Sequence, residues 1–101
     1  MFTYREAELA VIRWAEARRI IPNATPASQL LKAVSEMGEL ADAEGKRDLE
    51  AIQDAVGDVL VCLINYCALR DIDMVRCLAG AYDQIKDRKG TLMPDGTYVK
   101  E

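Results

Sequence analysis

With 101 residues, half of them apolar and only 6% aromatic, the chain has the size and composition of one small folded domain, 1–101, rather than of a disordered segment. Its formal net charge of -4 argues against a partner that is a nucleic-acid polymer, whose affinity would rest on neutralising phosphates. Histidine is absent, which removes Ser-His-Asp triads, His-liganded zinc and imidazole bases, so any hydrolytic chemistry has to run on carboxylates and a hard metal.

Thr3 and Glu6 stand at capping-box spacing, and Leu9, Ile12, Ala17 and Ile20 recur at helical intervals, so a first helix is expected over about 3–20. The opening MFTYREAELA carries charge early and lacks the apolar centre of a leader, so no signal peptide is expected. Cys62, Cys67 and Cys77 are odd in number and form no CxxC pair; read as small reduced core residues, they imply a cytoplasmic setting. Trp14 is either an anchor in a core or interface or a wall of a base-binding pocket. The segment IIPNATPA, with two prolines, breaks the helical pattern.

Thr25 as N-cap with Pro26 at the first helical position starts a second helix, expected to run to about Glu44 and stop at Gly45 while burying Leu30, Ala33, Val34, Met37 and Leu40. Glu36 and Glu39, three apart, share a face; alone, such a pair is routine on a solvated helix. Asp48 can cap a third helix reaching about Arg70. From 55 to 69 that helix reads AVGDVLVCLINYCAL, with Asp58 and Asn65 as its only strongly polar side chains. A helix apolar all round needs burial on every side, in a multi-helix or intersubunit bundle, and this run falls short of the ~20 apolar residues of a bilayer span, so no membrane is expected.

A carboxylate in such surroundings requires a counter-charge, and the run holds no Lys or Arg. With Glu36 and Glu39 on the neighbouring helix, and Asp54, Asp58 and Asn65 on one stripe at spacings of four and seven, the pattern points to a divalent cation. Four carboxylates on two adjacent helices repel one another without one, and an all-oxygen donor set suits magnesium.

Asp73 is the expected cap of a fourth helix over about 74–87, whose Val75, Leu78, Ala79, Tyr82 and Ile85 are expected to face the bundle. Lys86, Arg88 and Lys89 crowd its end, either as partners of the helix dipole or as anion contacts. Beyond them Pro94-Asp95-Gly96 is a turn signal between two short extended pieces, a small hairpin or an arm onto a neighbouring subunit. The expected fold is therefore all-α, a four-helix bundle that oligomerises as a homo-dimer or homo-tetramer, because the third helix is apolar on more faces than one such bundle covers.

The stretches WAEARRII, TPASQLLKAVSEMGELADA, DAVGDVLVCLINYCALRDID and CLAGAYDQIKDRKG resemble the MazG-like all-α nucleoside triphosphate pyrophosphohydrolases in their short single-domain form. The resemblance covers about residues 10–101 and rests on ExxE, a GD on an apolar helix, an Asn seven residues later and a K-x-R-K-G tail. It implies a magnesium-dependent enzyme, manganese being a substitute, that cleaves a nucleoside triphosphate to the monophosphate and pyrophosphate in the upkeep of the nucleotide pool. Glu36, Glu39 and Asp58 match metal ligands, with Asp54 the remaining acidic candidate. Asn65 matches a polar residue near the nucleotide, Lys86 and Arg88 match the basic end that meets phosphate, and Lys32, Lys89 and Trp14 complete the candidate nucleotide contacts.

The general base falls to Glu36 or Glu39, which the sequence does not rank. One position departs: the glutamate of the family's second motif would fall at residue 55, which is Ala55, and Asp54 stands one residue, about 100° of helix, away. Two alternatives stay open, a nucleotide or alarmone binder without turnover and a purely structural helical homo-oligomer.

Overall fold

A computed structural model of the chain describes residues 2–101. Among these residues the elements run α1 Tyr4–Ala17, α2 Ile20–Asn23, α3 Pro26–Gly45, α4 Leu49–Leu69, α5 Met74–Ile85, and an antiparallel hairpin of β1 Gly90–Leu92 with β2 Tyr98–Lys100. The four long helices start where the sequence placed caps. Thr3 and Glu6 form the reciprocal capping box, Thr25 Oγ1 accepts from the Ser28 N–H at 3.0 Å, Asp48 accepts from Ala51 N–H at 3.1 Å, and Asp73 from Arg76 N–H at 3.1 Å. Each bond satisfies a backbone donor that the first turn would otherwise leave without a partner.

The ends differ more from expectation. α1 stops at Ala17 because Arg19 takes a left-handed φ of 61°, and the following residues form the separate one-turn α2, broken at Ile21 just before Pro22. α3 does end at Gly45, yet the left-handed residue is Arg47 (φ 54°), whose N–H bonds back to Glu44 O while Asp48 N–H bonds to Ala43 O. Asp71 (φ 58°) closes α4 in the same way. This paired return of N–H groups to the last turn usually has glycine at the left-handed position.

α3 and α4, joined by a three-residue turn, form a helical hairpin whose seam is built from Ala33 and Ala43 on one side and Ala55, Val59 and Cys62 on the other, all buried. α1 and α2 lie against one flank of α4, where Ala15 is fully buried. Among the described residues no element covers the opposite flank. Leu30, Val34 and Met37 of α3, expected in the core, are therefore exposed, as are Val56 and Leu60 of α4. α5 departs furthest from expectation: from Arg76 onward all its residues are exposed, so Leu78, Tyr82 and Ile85 face solvent instead of a bundle. The chain is thus helical with a small hairpin, but within one copy it is a packed core of α1 to α4 from which α5 and the hairpin project. The radius of gyration, 16.1 Å, exceeds the roughly 13 Å expected of a compact chain this long.

α4 in full spans 21 residues, so it has the length and composition of a bilayer span, and the length of its apolar run does not by itself exclude one. Its Asp58 and Asn65, and its packing between α3 and α1, are the features of a core helix.

One polar tie holds α5 to the rest. The Arg5 guanidinium donates to both oxygens of Asp73, at 2.9 and 3.1 Å, and to the buried carboxylate of Glu8. The hydrogen bonds from Arg5, then that from the Arg76 N–H, hold the Asp73 carboxyl below the ordinary aspartate value of 3.8. Since the folded value is the lower one, this contribution is complete at pH above 3.8 and is lost as pH falls through the folded value. Asp73→Asn, which keeps a capping side chain, is expected to lower the melting temperature at pH 7 and to reduce the further loss on acidification below 3.8; melting curves across pH measure both. Arg47→Gly is expected to stabilise by roughly 0.5–1 kcal/mol by removing the left-handed penalty, a rise of a few degrees in Tm by calorimetry.

Candidate functional site

On α3, Lys32, Glu36 and Glu39 follow one another at spacings of four and three and so lie along one strip. The packing of α3 on α4 sets Asp58 opposite them. Glu36 is the centre of the group. Its side chain is 14% exposed, its Oε1 is 3.8 Å from the Lys32 ammonium, and its buried Oε2 has no hydrogen-bond partner. Burial pushes the Glu36 carboxyl up; a hydrogen bond with Glu39, then the charges of Glu39 and Asp58, push the same way, and Lys32 opposes them.

Glu39 also borders a small depression with Asp42, Lys46 and Ala51 at the turn end of the helical hairpin. Beneath the cluster lies Cys62, 2% exposed, its thiol pushed up mainly by burial and further by Glu36 and Asp58, so it is an inert protonated floor.

Asp58, half-buried, belongs to a second feature as well. With Val61 of α4 and with Phe2, Ala10, Val11 and Trp14 it lines a largely apolar concavity of about 440 Å³ between α1 and α4. Trp14 is 42% exposed, and the Arg18 guanidinium lies over its ring, 4.8 Å from the centroid. An indole with one open face, an apolar floor and a carboxylate at the rim can take a flat heteroaromatic ring. Sequence reasoning had Trp14 but not Arg18 or Phe2; the i,i+4 spacing of Trp14 and Arg18 was the available signal. Asn65 lies on the same strip of α4 as Asp58, 2% exposed, with its Oδ1 lacking a partner. A buried amide oxygen without a donor is uncommon and marks a place where a ligand or water donor is due.

The other candidates lie elsewhere. Asp54 is exposed and borders a separate surface hollow with Asp48, Glu50 and Gln53, whereas Ala55, 5% exposed, occupies the seam with α3. Lys86 pairs with Asp83 at 3.4 Å, and Arg88 and Lys89 line a hollow with Gln84, Asp87 and Lys100. Neither hollow includes Glu36, Glu39 or Asp58. Among the described residues no three acidic or cysteine side chains are gathered tightly enough to form a closed metal shell. The donor set still fits a hard cation in kind: oxygen donors only, one of them buried without a partner, and no His or thiolate to favour zinc.

A carboxylate strip beside an aromatic concavity, carried on a helical hairpin, is thus the candidate site of an all-α domain with a small terminal β-hairpin. Comparison with known proteins gives the family. The model of the MazG nucleotide pyrophosphohydrolase domain matches residues 24–93, and the chain belongs to that family. It is also similar to an uncharacterised 18.2 kDa protein from the rep-hol intergenic region of Haemophilus phage HP1 (strain HP1c1), 33% identical over 63 residues. That stretch is 62% of this chain and 39% of the phage protein, so the match spans well under half of its relative. No solved structure gives a significant match.

Because the folded Glu36 value is raised above the ordinary 4.5, the metal-free protein loses stability as pH rises from 4.5 through that folded value. Glu36→Gln should therefore flatten this part of the Tm–pH curve and leave the metal-free protein at least as stable at pH 7. A wild-type curve already flat above pH 4.5 would contradict the strained carboxyl.

Proposed function

We propose that this protein is a magnesium-dependent nucleoside triphosphate pyrophosphohydrolase, converting an NTP or dNTP and water to the monophosphate and pyrophosphate. The observation that carries the reading is the buried, unpartnered oxygen of Glu36 beside Glu39 and Asp58, next to the Trp14 concavity. Family membership supports the same class of reaction.

Magnesium, or manganese in its place, held by Glu36, Glu39 and Asp58 would neutralise phosphate charge and acidify a water. The chain's own residues do the rest. Trp14, backed by Arg18, stacks the base, and Asn65 accepts a hydrogen bond from the nucleotide at the buried side. Glu36 or Glu39 takes a proton from the attacking water as general base, and burial already holds the Glu36 carboxyl above the ordinary glutamate range. The water oxygen bonds to a phosphorus of the α,β bridge, the bond from that phosphorus to the bridging oxygen breaks, and the leaving group departs with its electron pair. Positive side chains supply the remaining charge compensation, since phosphoryl transfer asks the protein for positioning and electrostatics more than for covalent steps. Lys32 stands nearest the cluster; Lys86, Arg88 and Lys89 are the further candidates.

Ala55 favours a second reading, binding of a nucleotide or alarmone without turnover, because one family carboxylate is missing from the seam. Pyrophosphate release across the common NTPs and dNTPs, with and without magnesium, separates the two. The enzymatic reading expects release that requires the metal. Asp58→Asn is expected to lower it at least about a hundredfold while leaving the metal-free Tm unchanged or higher, and Asp54→Ala to leave magnesium affinity within about twofold. Nucleotide-dependent stabilisation with no release by the wild type would leave the binder.

A further inference from the structure

A second concavity, of about 370 Å³, lies on the side of α1 away from the Trp14 concavity and shares no lining residue with it. Ala7, Ala10, Val11 and Trp14 face one way from the helix, whereas Glu8, Leu9, Ile12 and Glu16 face the other. The volume suits a small-molecule ligand. Its chemistry follows from the order of residues along that face. Glu8 and Glu16 stand eight residues apart, about 12 Å along the helix axis, and Leu9 and Ile12 fill the interval. Ile21 and Ile72 add to the apolar wall. The result is hydrocarbon with an acid at each end.

The charges in this concavity do not balance. The carboxylates of Glu8, Glu16, Asp71 and Asp73 line it with a single cation, Arg5. That guanidinium is already engaged, by both oxygens of Asp73 and by one of Glu8, and Glu16 and Asp71 form no ion pair among the described residues. Glu8 gives the stronger signal. It is 4% exposed, yet Arg5 bonds only to its Oε1, and its Oε2 accepts no hydrogen bond among the described residues. A buried carboxylate that shares its one guanidinium with a second carboxylate is short of donors, and a ligand in the concavity it lines can bring them.

Ammonium groups at both ends of an aliphatic stem meet these demands together. One end would donate to the free oxygen of Glu8 and the other to Glu16, while the methylenes lie on Leu9 and Ile12 as a lysine stem lies on apolar surface. A bare metal ion would leave the hydrocarbon wall unused. A single lysine side chain would satisfy one end only. We propose that this concavity is a binding site for an aliphatic polyamine whose terminal ammonium groups are about 10–12 Å apart. It is separate from the carboxylate site of α3 and α4 and does not depend on the nucleotide reading of that site.

Two measurements on the full chain test it. Calorimetric titration with spermidine at low ionic strength is expected to show one saturable site per chain, with n-butylamine, the analogue of a lysine side chain, weaker by about tenfold or more. Glu16→Gln alters an exposed side chain without hydrogen bonds among the described residues and is expected to weaken spermidine about tenfold. Glu50→Gln removes the same charge at the hollow beside Asp54, and its effect is expected to stay within about twofold. Equal losses in the two variants would mean diffuse attraction to an acidic protein, and n-butylamine binding as tightly as spermidine would mean a contact made by one ammonium; either overturns the proposal. The second measurement is methyl NMR during the same titration, in which shifts are expected at Leu9, Ile12, Ile21 and Ile72. Shifts centred on Val11 and Val61 would put the polyamine in the Trp14 concavity and overturn the assignment, as would the absence of any saturable shift.

Discussion

The close approach of α3 to α4 governs the rest of the structure. Ala33, Ala43 and Ala55 leave little side-chain bulk at the seam, and the distance between packed helices is set by the side chains at the contact. That proximity is what puts Glu36 and Glu39 opposite Asp58, a confrontation that a seam of leucines would have spread apart. It also removes Glu36 from water, so the packing that stabilises the helical hairpin strains the carboxyl beside it. Ala55 shows the competition most directly: where the resemblance implies a carboxylate, this chain buries a methyl group at the seam.

Polar groups without partners are the second consequence. Glu36 Oε2 and Asn65 Oδ1 are the buried side-chain atoms, among the described residues, that accept no hydrogen bond. A buried acceptor without a donor costs about 1–3 kcal/mol, a sizeable part of a small domain's margin. Both lie on the flank covered by α1, one at the phosphate end of the proposed site and one along the strip leading from Asp58. Defects of packing would be scattered. In the site proposed above, a ligand bringing donors or positive charge would satisfy both acceptors.

Local chemistry was legible in the sequence, and long-range closure was not. All four long-helix starts followed from Thr3, Thr25, Asp48 and Asp73, because a cap is decided within four residues. The juxtaposition of Glu36 and Glu39 with Asp58 followed from two amphipathic patterns joined by a short turn. Arg19, Arg47 and Asp71 escaped notice because their left-handed conformations are imposed by the returning hydrogen bonds of each helix end and not by the residue type. α5 was placed in the bundle since its stripe of Val75, Leu78, Tyr82 and Ile85 is a good core pattern; the pattern states that something must cover it, not what. Asp54 is expected as a ligand from its stripe with Asp58 and Asn65 and its place beside the motif position; the structure sets it on an exposed side of α4, at a separate hollow.

Among the described residues the buried core of one copy holds no large side chain that is fully out of water; its buried apolar members are three alanines at the seam, Ala15, two cysteines, Val59 and Ile64. So little burial is hard to reconcile with a stable lone chain of this length, since each fully buried large aliphatic side chain is worth only about 1.5–3 kcal/mol and ordering the backbone opposes folding at every residue. If association supplies the missing burial, folding and pairing share one equilibrium, and stability rises with protein concentration.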